Sequence, residues 1–143
     1  MSNSVTSIGE WAFGRCHALT NIEIPNTVTA MGRSVFSYCS ALTSVTIGSG
    51  LDSIPGYTFW KCTNLTSIEI PNGVTSIGRS AFYGCSSLAS ISLPYGLTSI
   101  GDYAFFRCYV LAGFDIPNSV TTMGHGVLSY CLWSLALLYR ICS

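Results

Sequence analysis

The amino-acid sequence predicts a β-rich solenoid: a right-handed array of short coils, with a parallel sheet on the concave side and short helical or 3-10 turns on the convex side. Three observations predict it. Cys16, Cys39, Cys62, Cys85, Cys108 and Cys131 lie 23 residues apart without one insertion. Phenylalanine stands three residues before the first five (Phe13, Phe36, Phe59, Phe82 and Phe105), with Leu128 in the sixth place, and leucine stands three after at Leu19, Leu42, Leu65, Leu88 and Leu111. Aliphatic or aromatic pairs then recur in phase: Ile22 and Ile24, Val45 and Ile47, Ile68 and Ile70, Ile91 and Leu93, Phe114 and Ile116. Self-similarity at a fixed period of this length marks stacked repeats.

Each part of the unit has a physical reason. The I-x-I pair alternates at period two, so both side chains point inward from a short strand. Pro25, Pro71, Pro94 and Pro117 end that strand, because proline has no N–H for a ladder. Asn26, Asn72 and Asn118, with Gly50, Gly73 or Gly96 in the next register, turn the chain. A V-x-x-I-G segment (Val28 to Gly32, Val74 to Gly78, Leu97 to Gly101, Val120 to Gly124) then forms a second, shorter extended piece on the far side. The A-F-x-x-C arc closes the coil as a short helical or 3-10 turn.

One coil does not fold alone. Fixing 23 residues costs on the order of 1–2 kcal/mol each, and the seven apolar side chains of a unit return only about 1.5–3 kcal/mol each. Stacking supplies the remainder through ladders between coils and coverage of both faces of every coil. The chain therefore reads as one solenoid over 1–143: a partial coil over 1–18, five full units over 19–133, and a degenerate coil or tail over 134–143.

Composition narrows the function classes. The chain is 49% hydrophobic but only 8% charged, with formal net charge +0, against the roughly 25% charged residues of ordinary soluble domains. No basic stripe is present to neutralise phosphates, which argues against nucleic acid as a partner. The N-terminus, Met1-Ser2-Asn3-Ser4-Val5, shows neither the basic nor the apolar region of a signal peptide. No uninterrupted apolar run of about 18 residues predicts a membrane helix.

The full unit, Leu65-x-x-Ile68-x-Ile70-Pro71-Asn72-x-Val74-x-x-Ile77-Gly78-x-x-Ala81-Phe82-x-x-Cys85, resembles the BspA-like class of leucine-rich repeats from residue 5 to about 131. It departs from the commoner leucine-rich repeat, whose asparagine lies three residues beyond the last strand aliphatic; here that place holds Thr27, Gly50, Gly73, Gly96 and Ser119. The resemblance implies a curved β-solenoid found mostly in cell-surface proteins that adhere to host or matrix proteins. It thus implies a surface or secreted location, although this chain has no signal peptide. Fold alone does not fix function.

Candidate sites follow from the repeat positions. The outward strand places read Thr20, Asn21 and Glu23; Thr43, Ser44 and Thr46; Thr66, Ser67 and Glu69; Ala89, Ser90 and Ser92; and Ala112, Gly113 and Asp115. This face carries three carboxylates and no base. Arg15, Arg33, Lys61, Arg79 and Arg107 all fall in the opposite arc. One reading is a weakly acidic groove for a basic or hydroxyl-rich protein partner; the other is a solvated sheet of small residues that lets the strands curve. The expected role is a protein-binding or adhesive module, the alternatives being a structural spacer or a carbohydrate or crystal-surface binder. That last role would use a second stripe, Thr6, Thr29, Asp52, Thr75, Thr98 and Thr121, beside Ser7, Ser53, Ser76, Ser99 and Thr122.

No catalytic, metal or cofactor site is expected. The cysteines are not in the C-x-x-C pairs of structural zinc; they suit a buried small-hydrophobe ladder, although stacking at roughly 4.8 Å would also bring thiols within reach of a bridge. His17 and His125 occupy different repeat places on the order of 20 Å apart, too far for one active site. Asn64-Leu65-Thr66 is a glycosylation sequon around a core leucine. Neither end offers a polar cap, so a fragment of a longer array, or ends that associate with each other, is expected. Leu132 to Ile141 abandons the repeat, although Leu137 and Tyr139 keep the I-x-I places of a final strand. Cys142 is out of phase and is expected to be an exposed thiol.

Overall fold

The computed structural model describes residues 1–113 and 115–132. Phe114, the expected final strand at Leu137 and Tyr139, and Cys142 lie outside the described residues. The chain forms a stack of parallel coils with ten short strands among the described residues: β1 (Ser7–Ile8), β2 (Asn21–Ile24), β3 (Ala30–Met31), β4 (Ser44–Ile47), β5 (Ser53–Ile54), β6 (Ser67–Glu69), β7 (Ser76–Ile77), β8 (Ser90–Ser92), β9 (Ser99–Ile100) and β10 (Thr122–Met123). All pairings are parallel, and every residue pairs with the one 23 positions away, as in Asn21 with Ser44 and Ile77 with Ile100. The longer strands are the I-x-I segments and the two-residue strands are the V-x-x-I segments, as the periodicity predicts.

The core is the set of stacked repeat positions. Phe36, Phe59, Phe82 and Phe105 are fully buried, and from Phe13 onward their rings stack with centroids 5.2–5.5 Å apart and planes within 19°. Leucine and cysteine files run beside them, with Leu42, Leu65, Leu88, Cys62 and Cys85 at zero exposure. Each coil therefore seals the next, which is what makes burial depend on stacking.

The arc is not a helix. Its N–H groups alternate between two destinations. Those of Trp60 and Cys62 bond back three residues to Tyr57 and Phe59, the 3-10 pattern, while those of Tyr57, Phe59 and Lys61 donate to Arg79, Ala81 and Tyr83 of the next coil. Because every second donor leaves the coil, no helical ladder propagates. Left-handed backbone at Tyr57 (φ 62°) and Lys61 (φ 61°), repeated at Tyr103 and Arg107, produces the alternation.

Proline sets the extent of the sheets. Gly48 donates to the Ile24 carbonyl at 2.8 Å, and the β2–β4 ladder runs four residues. Pro94 holds the same place one ladder on, and β6–β8 runs three. The expected single sheet of long strands is instead two two-stranded ladders, β2–β4 and β6–β8. On the other side, Gly32, Gly78, Gly101 and Gly124 each donate to the preceding coil at 2.8 Å. Pro55 occupies that column and has no N–H to give. Accordingly the short strands divide into β1–β3 and β5–β7–β9–β10. Both divisions fall between the turn over 28–50 and the turn over 51–73, where the arc bonds continue, Ser34 to Gly56 and Phe36 to Thr58 among them.

Candidate functional site

The long-strand face is built by alternation. In β4 the pattern is outward Ser44, buried Val45, outward Thr46, buried Ile47, so the outward side chains stand on a fully packed bed. Thr20, Asn21, Glu23, Thr43, Ser44, Thr46, Thr66, Ser67, Glu69, Ser90 and Ser92 are all exposed. A shallow open depression of about 660 Å³ gathers Ser44, Thr46, Ser67, Glu69, Ser90 and Ser92, with Asn26, Ser49 and Pro71 also lining it. Thr43 Oγ1 donates to the Thr20 carbonyl at 2.9 Å, and Asn21 Nδ2 donates to Thr20 Oγ1 at 3.2 Å, so these two threonines are partly committed within the face. Thr20, Asn21, Glu23, Thr43 and Thr66 lie outside the depression.

Asp115 departs from its expected place. It is exposed, but the described residues 112, 113, 115 and 116 form no strand. Gly113 takes φ 62°, which leaves the β region, and Asp115 lines a separate depression of about 410 Å³ with Tyr95, Asn118 and Ser119. The carboxylate file is thus regular through Glu23 and Glu69 and displaced at its third member.

The arc holds a feature that column-by-column reading passes over. Tyr38, Trp60, Tyr83, Phe106 and Tyr130 form a continuous file of ring contacts with centroids 5.0–6.2 Å apart. Every described cation of the chain lies against this file or its neighbours: Arg15 on Tyr38, Arg33 on Tyr57, Lys61 on Tyr83, Arg79 on Tyr103, and Arg107 on both Phe106 and Tyr130, at 5.2–6.0 Å from the ring centroids. Cation over ring face is an attractive arrangement, and it holds five long side chains in place along one side. Tyr38 and Tyr130 stand one residue before the cysteine and the three rings between them stand two before it, so no single column holds the whole file. Arg79 also meets Asp102 at 4.0 Å.

Three hydroxyls of the threonine stripe bond along the stack. Thr75 Oγ1 donates to the Asp52 carbonyl at 3.3 Å, Thr98 to Thr75 at 3.0 Å and Thr121 to Thr98 at 3.4 Å. Each hydroxyl carries one proton, and here it serves the neighbouring coil. The cysteines behave likewise: Cys39, Cys62, Cys85, Cys108 and Cys131 each donate Sγ–H to the carbonyl of the phenylalanine one coil earlier at 3.0–3.2 Å. Cys16, Cys39, Cys62, Cys85 and Cys108 are free thiols, and all but Cys16 are buried, as is Cys131. Burial raises the Cys39, Cys62 and Cys85 thiols. Cys108 is raised and Cys131 lowered, chiefly through the side-chain interaction between these two neighbouring thiols. Among the described residues no group of three or more histidine, cysteine or acidic side chains is placed to hold a metal ion, and no helix is long and apolar enough to cross a membrane. His17 shares a 3.2 Å hydrogen bond with Ser40, and the His125 N–H donates to Asp102.

Comparison with known proteins agrees with this geometry. The sequence profile of the BspA type leucine rich repeat region matches residues 1–86 and 53–135, in six copies. No curated protein matches. Among solved structures, a leucine-rich repeat protein from Eubacterium ventriosum is 29% identical with TM-score 0.83, covering 92% of this chain and 36% of its own. A leucine rich cell surface protein from Faecalibacterium prausnitzii is 30% identical with TM-score 0.74, over 87% of this chain and 31% of its own. The leucine rich repeat protein of T. pallidum is 26% identical with TM-score 0.74, over 96% and 76%. The chain therefore spans about a third of the length of the first two. With the repeat unit, the parallel coils and the profile in agreement, the chain belongs to the BspA type leucine-rich repeat family.

Proposed function

We propose that this chain is a protein-binding repeat module that meets its partner on the long-strand face. The observation that carries the reading is the depression over β4, β6 and β8: small hydroxyl side chains and Glu69 stand outward on a rigid bed of buried Val45, Ile68 and Ile91. Among the described residues this face holds carboxylates and no cation, so it favours a partner with basic or hydroxyl-rich contacts. The Thr75, Thr98 and Thr121 hydroxyls of the threonine stripe donate to neighbouring coils, which favours this face over that stripe. The likeness to a protein described as a cell surface protein supports a surface location.

The test is capture of purified extracellular-matrix and surface proteins by the immobilised chain, compared with a Glu23→Lys, Glu69→Lys, Asp115→Lys variant. Capture is expected to fall at least tenfold in the variant while circular dichroism stays unchanged. Capture that is indifferent to all three reversals overturns the reading.

A further inference from the structure

The acids of the long-strand face and the cations of the arc lie on opposite sides of the stack. On the long-strand side, Glu23, Glu69 and Asp115 are 46 residues apart, with uncharged Thr46 and Ser92 in the coils between. On the arc, Arg15, Lys61 and Arg107 follow the same 46-residue step, and Arg33 and Arg79 stand in the coils between them. Stacked rings rise 5.2–5.5 Å per coil, so Glu23 and Glu69 stand about 10 Å apart while the arc presents one cation per coil. Charges of opposite sign thus run along opposite sides of one molecule, with Asp115 displaced from the acidic file.

We propose that a partner of the long-strand face is a second copy of this chain, docked through its arc so that the arc cations of one copy, Lys61 among them, lie opposite Glu23 and Glu69 of the other. The proposal rests on the long-strand face being a contact face and names its occupant. Formal net charge is +0, so no long-range repulsion keeps copies apart. The segregation of sign across the width leaves a field that aligns them back to face. On the arc the described acids are Glu10 and Asp102, and Asp102 is engaged by Arg79. The arc cations rest on ring faces, so docking immobilises little that is not already placed. The two surfaces differ, so the contact does not close on itself and each added copy offers the next site. Exposed ion pairs of this kind are individually weak and are screened by salt.

Three measurements test it. Sedimentation of the unaltered chain at about 0.01 M salt, where the Debye length is about 30 Å, should show concentration-dependent association that is lost near 1 M. A Glu23→Lys, Glu69→Lys variant has two basic sides and an Arg15→Glu, Lys61→Glu, Arg107→Glu variant has two acidic sides. Each should stay monomeric alone, and an equimolar mixture of the two should associate again. Lys61 is the only lysine of the chain, so a zero-length carbodiimide cross-link on the unaltered protein should join it to Glu23 or Glu69 of another copy. This measurement needs no variant to fold. A chain that stays monomeric at low salt and gives no such cross-link overturns the inference. If that same chain still loses foreign-protein capture on acid reversal, the contact face survives and only its second-copy occupant falls.

Discussion

Cys85 Sγ donates to the carbonyl oxygen of Phe59 at 3.1 Å, across the boundary between two coils. The bond ties the cysteine file to the phenylalanine file and is the second one to this carbonyl, which also accepts the Cys62 N–H. Removing the donor with Cys85→Ala should cost about 2–3 kcal/mol, combining lost burial with the loss of this second bond. Cys85→Ser keeps a donor and should cost about 1 kcal/mol less. Urea midpoints at unchanged m-value read both; equal losses for the two variants would show that the hydrogen bond contributes nothing.

Buried thiols also set an alkaline limit. Burial pushes Cys85 up to about 12 from an ordinary value of 9.0, and Cys62 higher still. The unfolded chain releases these protons near pH 9 while the folded chain holds them, so the contribution is complete below pH 9 and is lost as pH rises toward 12. Melting temperature under reducing conditions should therefore fall steadily from about pH 9 upward. A Cys85→Val variant should show a shallower decline over that window. Parallel curves for the two proteins would remove the thiol explanation.

The phenylalanine spine should be tolerant of shape and intolerant of loss. Phe59→Ala leaves a cavity between two stacked rings and should cost about 3–5 kcal/mol. Leu128 already fills this column in the sixth coil. Phe59→Leu should therefore cost about 1–1.5 kcal/mol, as read by chemical denaturation.

Two glycines should respond oppositely to the same methyl group. A Cβ on Gly78 would collide with the backbone nitrogen of Gly56 in the coil before, and that backbone has nowhere to move. A Cβ on Gly96 would find its nearest neighbour, the Asn72 carbonyl oxygen, at 3.7 Å. Gly78→Ala should destabilise by about 1–3 kcal/mol, and Gly96→Ala should stabilise by about 0.4–1 kcal/mol through the unfolded chain. Thermal melts of the pair distinguish close coil packing from a general glycine effect.

What the sequence made legible was whatever stayed in a fixed column. The Phe13-to-Phe105 and Cys16-to-Cys131 files stack as their spacing requires, because one insertion-free period leaves a single way to superpose them. The outward strand residues were equally readable from alternation, Glu23 and Glu69 among them. The features that escaped break the column. Tyr38 and Tyr130 lie one residue before the cysteine and Trp60, Tyr83 and Phe106 two before it, so their contact appears only once the arc has a shape. Gly113 is one of many glycines, and its φ of 62°, which displaces Asp115, is a matter of backbone rather than residue type. The arc resisted a helical assignment for the same reason: its left-handed positions carry ordinary side chains such as Tyr57 and Lys61.

Pro55 gives the molecule a preferred line of cleavage. A column of identical rungs shares strain evenly and opens wherever chance begins, but the rungs here are unequal. At one level the ladders on both flanks stop together and only the arc carries main-chain bonds across, besides a 3.4 Å bond from Thr66 to Thr43. Main-chain bonding is thus thinnest at a single plane, crossed by the stacked Phe36 and Phe59 rings, and local opening is expected to begin there.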